Sequence, residues 1–218
     1  MRDLYYDQLD TIIDDLVAMT SAVRTAVSEA TEALLSADAA AAESVITGDK
    51  EIDDSREIIE EKALTLLATQ QPVASDLRQL VATLRMVADL ERMGDLSVHI
   101  AKVARMRMPM LAVPESVIPT IERMSKVADQ MILSASKIVA DRDVEAAAEL
   151  ENEDDEMDKL RRSLFRSLLS EDWAYGVEPA IDIALLGRYY ERIGDHAVSM
   201  ARRVVYLVTG ELPREVPS

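Results

Sequence analysis

Apolar residues recur every three or four positions along most of the chain, which is the period of one face of an α-helix. In the first such stretch they are Leu9, Ile12 or Ile13, Leu16, Met19, Val23, Val27, Ala30 and Leu34. This spacing predicts a first helix that runs from about Asp3 to Ser36.

Cap and breaker residues divide the remainder of the first half into two further helices. Asp38 is a typical N-cap residue and predicts a second helix of about thirty residues that closes before Pro72. Ser75 and Asp76 predict the N-cap of a third helix, which continues to about Arg105.

Residues 106–119 contain three prolines, the densest helix-breaking signal in the chain: Pro109, Pro114 and Pro119. We therefore predict a first three-helix repeat over residues 1–105, a linker over 106–119, and a second three-helix repeat over 120–218.

The second half repeats the pattern of the first. A shift of 105 positions aligns Met19 with Met124 and Asp38 with Asp143, and a shift of 100 aligns the third helix with the last one. Self-similarity of this kind indicates a duplicated structural unit. The sequence predicts an all-α fold made of two tandem antiparallel three-helix bundles related by internal duplication.

The two shifts differ by five residues, and we expect the difference in the turn before the last helix. There Gln70–Val73 of the first half is replaced by a shorter turn near Tyr175 and Gly176. Turns absorb changes of length at low cost, so this position supports a true duplication.

The pattern Glu-Arg-x-Gly-Asp occurs twice, at Glu91–Asp95 and at Glu191–Asp195. Side chains at i and i+4 share one face of a helix. The glycines, Gly94 and Gly194, each cost about 1 kcal/mol relative to alanine inside a helix, which suggests close approach of another helix or a ligand.

These carboxylates fall on helix faces that are otherwise apolar. At 100° per residue, Glu91 and Asp95 lie in the same sector as Leu80, Leu84 and Val98. The other pairs fall on apolar sectors in the same way, so each half brings four carboxylates to facing helices. The two sets are Asp49, Asp53, Glu91 and Asp95, and Asp154, Asp158, Glu191 and Asp195.

Four carboxylates on one buried face repel each other and need protons, arginines or metal ions as compensation. Oxygen ligands favour hard cations such as Mg²⁺, Mn²⁺ or Ca²⁺, and bridging carboxylates also hold iron or zinc. Arginines near the same faces offer the alternative of an ion-pair network: Arg56, Arg161, Arg188 and Arg202. The spacing of the residues leaves both possibilities open.

The opposite side of the third helix is predicted to be polar, with Asp89 among its residues. Arg78, Arg85 and Arg92 recur there every seven positions. This stripe is a candidate contact surface for a partner on an otherwise acidic protein, although solvated surface charge is the more common explanation.

Composition narrows the class of protein. The chain is 49% hydrophobic and 30% charged, as in a soluble globular protein, and it has no cysteine for disulfides or thiolate metal sites. A net charge of −17 repels nucleic acid and anionic lipid and suits cations or a basic protein surface. No signal peptide and no membrane-spanning stretch is expected.

Four runs carry a resemblance to a known family: Gln71–Arg78, Asp89–Asp95, Tyr190–Ala197 and Val205–Glu211. They resemble the PhoU family, the accessory and regulatory proteins of bacterial high-affinity phosphate uptake, and the resemblance covers nearly the whole chain. It implies a cytoplasmic six-helix protein without catalytic activity.

The resemblance also implies a function and partners. PhoU-like proteins are negative regulators of the phosphate response, and they link the ATPase subunit of the phosphate ABC transporter to a sensor histidine kinase. We accordingly expect a homodimer that associates peripherally with membrane complexes. In some family members the matching carboxylate motifs bind metal clusters, so iron, zinc, manganese or magnesium is expected at the eight carboxylates, with no organic cofactor.

The sequence departs from the family pattern after each motif, where His99 and Ser199 replace the usual asparagine. His99 is a possible extra ligand in the first half. His196 is expected to point towards the polar side and not to be a ligand.

Two rival functions remain at this point. A di-iron carboxylate oxidase uses Glu-x-x-His pairs, but Leu96 and Ile193 stand three residues before His99 and His196. A metal-free helical scaffold, in which arginines neutralise the carboxylates, is the second alternative.

Overall fold

A computed structural model of the protein describes residues 2–211. Its six long helices are α1 Arg2–Ser36, α2 Ala39–Gln70, α3 Ala74–Arg107, α4 Ile118–Asp141, α5 Val144–Leu168 and α6 Val177–Thr209, with a 3₁₀ turn at Glu115–Val117. The described part has no strand, which confirms the all-α prediction. Residues 212–218 of the predicted second repeat lie outside the described residues.

Helix caps at equivalent positions display the duplication directly. The Asp38 carboxylate accepts hydrogen bonds from the backbone N–H groups of Ala40 and Ala41, at 2.9 and 3.0 Å. Asp143 caps α5 through Glu145 and Ala146 in the same way. The predicted cap Asp38 and its repeat equivalent Asp143 therefore satisfy amides that the first turn of a helix leaves free.

The predicted cap of α3 was wrong. The helix begins at Ala74, after Val73, and no side chain caps it. The Ser75 hydroxyl donates instead to the Asp76 carboxylate, at 3.3 Å. Both residues already belong to the first turn, so the backbone amides at the start of α3 have no side-chain acceptor.

The segment before α6 also differs from the prediction. It spans residues 169–176 and is longer than the segment 71–73 that precedes α3, although a shorter turn was predicted. The second half is shorter because α5 ends earlier than α2 does. Trp173 closes this segment: its indole N–H donates to the Gly176 carbonyl at 2.7 Å, and its ring packs against the core.

The six helices form two layers around one core. Helices α1, α3, α4 and α6 contact each other as a central four-helix bundle, α2 covers α1 and α3, and α5 covers α4 and α6. The apolar positions predicted in α1 are buried, with Ile12 rather than Ile13 at the core. Among the described residues, no helix has an apolar stretch long enough to cross a membrane.

Helices α3 and α6 run antiparallel and join the two halves along their whole length. At one end Arg107 forms ion pairs with Glu178 and Asp182. At the other end the guanidinium of Arg78 lies against Gly210. The contact explains a further wrong prediction: Asp89 is 8% exposed, not on a polar outer face, because α6 covers that side of α3.

Candidate metal centres

Helices α2 and α3 bring four carboxylates together in the first half. Burial is the main cause that raises the pKa of Asp49 from 3.8 to about 6, followed by the charges of Asp53, Asp95 and Glu91. Burial disfavours a charged carboxylate, and neighbouring negative charges disfavour it further. The predicted group of four therefore exists as an interacting set.

Gly94 is the place where α3 makes room for α2. A Cβ atom added to this glycine would lie 3.1 Å from the Asp49 carboxylate oxygen Oδ1 and 3.2 Å from two side-chain atoms of Ile52. These distances are shorter than ordinary van der Waals contacts. The costly glycine of the repeated motif thus permits the close approach that the sequence suggested.

The second half has the equivalent arrangement between α5 and α6. Burial again comes first among the causes that raise the pKa of Asp154 from 3.8 to about 6, ahead of Asp195, Asp158 and Glu191. A Cβ atom added to Gly194 would lie 3.4 Å from Asp154 Oδ1. The two halves therefore share the same four-carboxylate design.

Arginines distinguish the two groups. In the second half Glu191 is 6% exposed and forms ion pairs with Arg188 and with Arg161, whose Nε lies 3.3 Å from Oε1. In the first half Glu91 has only Arg92, at 3.6 Å, and the Arg92 side chain is 63% exposed. Arginine neutralisation is therefore built into the second group and is weak in the first.

The other two arginines considered as partners lie elsewhere. Arg56 pairs with Glu57 and Glu60, and Arg202 pairs with Glu151. The Arg202 charge nonetheless lowers the pKa of Asp154 as the last of its causes. Arginines accordingly pair with two carboxylates of the second group, Glu191 and, through Arg162 at 3.6 Å, Asp158. Among the described side chains they form no ion pair with the α2 carboxylates Asp49 and Asp53.

The donors suit a hard cation in chemistry, since all eight are carboxylates. Across residues 2–211, however, no three acidic or histidine side chains converge on a point where a metal ion would sit. Asp49 and Asp154 are fixed beside the glycines, so the more exposed partners, such as Asp53 and Asp195, would have to turn towards them to complete a coordination shell.

The histidines lie on the α3–α6 contact and not with the carboxylate groups. The His99 ring stacks on Tyr189, with centroids 5.3 Å apart and planes 23° apart. The His196 Nδ1 lies 3.0 Å from the Asp89 carboxylate. Sequence reasoning missed this second pair because no spacing within one helix indicates a contact with another.

The predicted arginine stripe does not behave as one surface. Arg78 is half-buried at the start of α3, Arg85 is exposed, and Arg92 donates to Asp95 at 3.2 Å. Arg92 is therefore part of the first carboxylate group, and its predicted contact with a partner stays a prediction together with that of Arg85.

Comparison with known proteins agrees with the architecture. The family model described as PhoU domain matches twice, at residues 16–104 and 121–204. The chain is 45% identical over 213 residues to the phosphate-specific transport system accessory protein PhoU homolog 2 of Mycobacterium tuberculosis, covering 98% of this chain and 100% of that protein. Homolog 1 of the same species is 43% identical over 215 residues, covering 99% of this chain and 97% of that protein.

Solved structures give the same result for the fold. The crystal structure of PhoU from Pseudomonas aeruginosa superposes with a TM-score of 0.88 at 29% identity, covering 95% of this chain and 100% of that one. PhoU from Streptococcus pneumoniae gives 0.85 at 25% identity, covering 96% and 99%. With its doubled domain, full-length relatives and matching structures, the chain belongs to the PhoU family.

Proposed function

We propose that this protein is an accessory protein and negative regulator of phosphate-specific transport. The observation that carries the proposal is its identity of 45% to a relative with the name of such an accessory protein, over 98% of this chain. In this function it acts in the cytoplasm as an adaptor, without catalytic activity, between the ATPase subunit of a phosphate transporter and a sensor histidine kinase.

The charge of the molecule supports an adaptor function. A net charge of −17 favours contact with basic protein surfaces and opposes contact with nucleic acid. Association with the membrane complex would then be peripheral and mediated by the partner proteins. A homodimer would present two copies of each partner surface to the transporter.

Metal binding is the second part of the proposal. Each four-carboxylate group would hold a hard cation, which would neutralise the charges that raise the pKa of Asp49 and Asp154. Bound metal would then stabilise the contact of α2 with α3 and of α5 with α6. The ion-paired Glu191 makes the metal-free alternative stronger in the second half than in the first.

Deletion of the gene tests the regulatory function. Phosphate-response genes should stay switched on in phosphate-rich medium, and the wild-type gene should restore repression. A Gly48→Ala variant is a suitable control for complementation, because Gly48 is exposed and no atom lies within 4 Å of an added Cβ. Normal repression in the deletion strain would contradict the proposed function.

A further inference from the structure

One end of the central bundle contains a groove of about 490 Å³, with both polar and apolar lining, between the starts of α1 and α3 and the ends of α4 and α6. Its lining includes Arg78, Gln79 and Arg142, with Leu9 and Leu207 as apolar walls. The groove is separate from both carboxylate groups, which lie between α2 and α3 and between α5 and α6.

Gln79 has an unpaired donor at this groove. The residue is 5% exposed, and its Oε1 accepts a hydrogen bond from Arg142 Nη2 at 3.0 Å. Arginine only donates, so this bond fixes the orientation of the amide. The Nε2 group is consequently a buried donor, and it has no acceptor among residues 2–211. Such groups are costly and call for an explanation.

The two arginines of the groove lack counter-ions. The buried Nε of Arg78 also has no acceptor in the described part of the chain. Among the side chains that the structure describes (4–151 and 153–211), no carboxylate forms an ion pair within 4.0 Å with either Arg78 or Arg142, although the protein as a whole is strongly acidic. In addition, α3 begins beside the groove without a side-chain cap, and free amides at a helix start attract anions.

We infer that this groove binds a small oxyanion of the size of phosphate, held by the guanidinium groups of Arg78 and Arg142 and the Gln79 amide. The two guanidinium groups only donate hydrogen bonds, and the one acceptor of the Gln79 amide, Oε1, is already occupied by Arg142. The groups that remain for a ligand are therefore all donors, which is the complement of a tetrahedral oxyanion. For the buried Gln79 Nε2 group to reach the oxyanion, the Gln79 side chain has to turn slightly towards the groove.

Two carboxylates of the groove, Asp10 and Asp76, oppose an anion. Asp10 is exposed, and Asp76 accepts from the Ser75 hydroxyl. Their negative charges weaken the binding of an anion. We expect Asp10→Asn, which removes the charge of the exposed carboxylate, to strengthen the binding of phosphate.

Titration of the purified full chain with inorganic phosphate, at constant ionic strength, tests the inference by NMR. The Gln79 side-chain amide and the Arg78 Nε–H resonances should shift and saturate. Arg142→Met should weaken binding at least tenfold. Arg85→Met is the matched control, since it removes the same charge from an exposed site on α3 and should bind as the wild type does.

Thermal unfolding supplies a second measurement that does not depend on assignment of resonances. Phosphate should raise the Tm of the wild type and of Arg85→Met, and it should leave the Tm of Arg142→Met unchanged. Equal responses of the three proteins, or shifts spread over all surface arginines, would overturn the inference.

The source of the oxyanion is distinguished by comparing inorganic phosphate with phosphoserine. Saturable binding of inorganic phosphate supports the inference that the ligand is a free ion. Binding of phosphoserine without binding of inorganic phosphate would overturn that inference. These measurements use only purified protein, so their failure would leave the regulatory function, tested in the deletion strain, unaffected.

Discussion

The carboxylate of Asp89 on α3 lies 3.0 Å from Nδ1 of His196 on α6. Its second oxygen accepts a hydrogen bond from Arg203 Nε at 3.0 Å and lies 2.8 Å from Nη2 of the same guanidinium. This group of three side chains connects the two repeats near the middle of their longest contact. All three side chains are largely buried, with exposed fractions of 10% for Asp89, 18% for His196 and 25% for Arg203.

We expect Asp89→Ala to lower the free energy of unfolding by about 2–4 kcal/mol, because it leaves the partly buried Arg203 without its counter-charge and His196 Nδ1 without its hydrogen-bond partner. Urea unfolding measures the effect. The matched control is Asp54→Ala, whose side chain is 55% exposed and paired with Lys50 one helical turn away; it should cost at most about 0.5 kcal/mol. Equal losses would show that Asp89 has no special structural role.

Two glycines in helices should respond in opposite directions to replacement by alanine. Gly94→Ala places a methyl group 3.1 Å from the Asp49 carboxylate and should cost about 1–3 kcal/mol through overpacking. Gly48→Ala meets no atom within 4 Å on the exposed side of α2 and should gain about 1 kcal/mol from helix propensity. Thermal unfolding of the two variants checks the difference, and a stabilising Gly94→Ala would mean that α2 and α3 can separate freely.

The raised pKa values predict how stability depends on pH. The folded protein holds protons on Asp49 and Asp154 up to about pH 6, whereas the unfolded chain releases them near 3.8. Their contribution to stability is therefore complete below pH 3.8 and is lost as the pH rises through 6.

Replacing both residues should accordingly stabilise the protein at neutral pH. Asp49→Asn and Asp154→Asn should each raise the free energy of unfolding by about 1–2 kcal/mol at pH 7, measured with a chelator present. This range allows for partial screening of the charges by solvent. The gain should shrink steadily between pH 7 and 4. Gly48→Ala serves as the control, because its effect on stability involves no proton. A gain in the two Asp→Asn variants that does not depend on pH would exclude charge as the cause.

The halves should differ in metal affinity. Arg161 and Arg188 already neutralise Glu191, and a cation must compete with them. The cations near the first group are the exposed Arg92 and Lys102, whose charge only slightly offsets the raised pKa of Asp49. Titration with Mn²⁺, followed by electron paramagnetic resonance on protein purified without a nickel column, should find a tighter site in the first half.

Paired variants assign that difference. Glu91→Ala with Asp95→Ala should remove the tighter site, and Glu191→Ala with Asp195→Ala should remove only the weaker one. Arg188→Met should tighten the second site severalfold, because it frees a carboxylate oxygen. Identical affinities in both halves, unaffected by Arg188→Met, would contradict the arginine argument.

Periodicity predicted the six helices because each helix has one dominant apolar face, which is buried whichever neighbours the helix packs against. The eight carboxylates as metal ligands stay a prediction. Periodicity failed for Asp89, since α3 contacts α1, α2 and α6 and retains little solvent-facing surface. Periodicity also could not predict that the arginines differ between the halves. Arg161 and Arg56 occupy equivalent positions, but Arg161 pairs with Glu191 of the motif in α6, whereas Arg56 pairs with Glu60 of its own helix. Which neighbour a long side chain selects depends on tertiary contacts that spacing does not encode.

Arg24 on α1 and Asp129 on α4 form a bidentate ion pair, at 2.5 and 2.8 Å, and they are separated by the 105 residues that relate the two repeats. In an ancestor with one repeat per chain, two identical copies would have to associate to cover α1 and α3, and this position would then face its own counterpart. Two arginines or two aspartates would oppose each other there. An arginine opposite an aspartate became available only after the repeats were fused and their sequences could diverge.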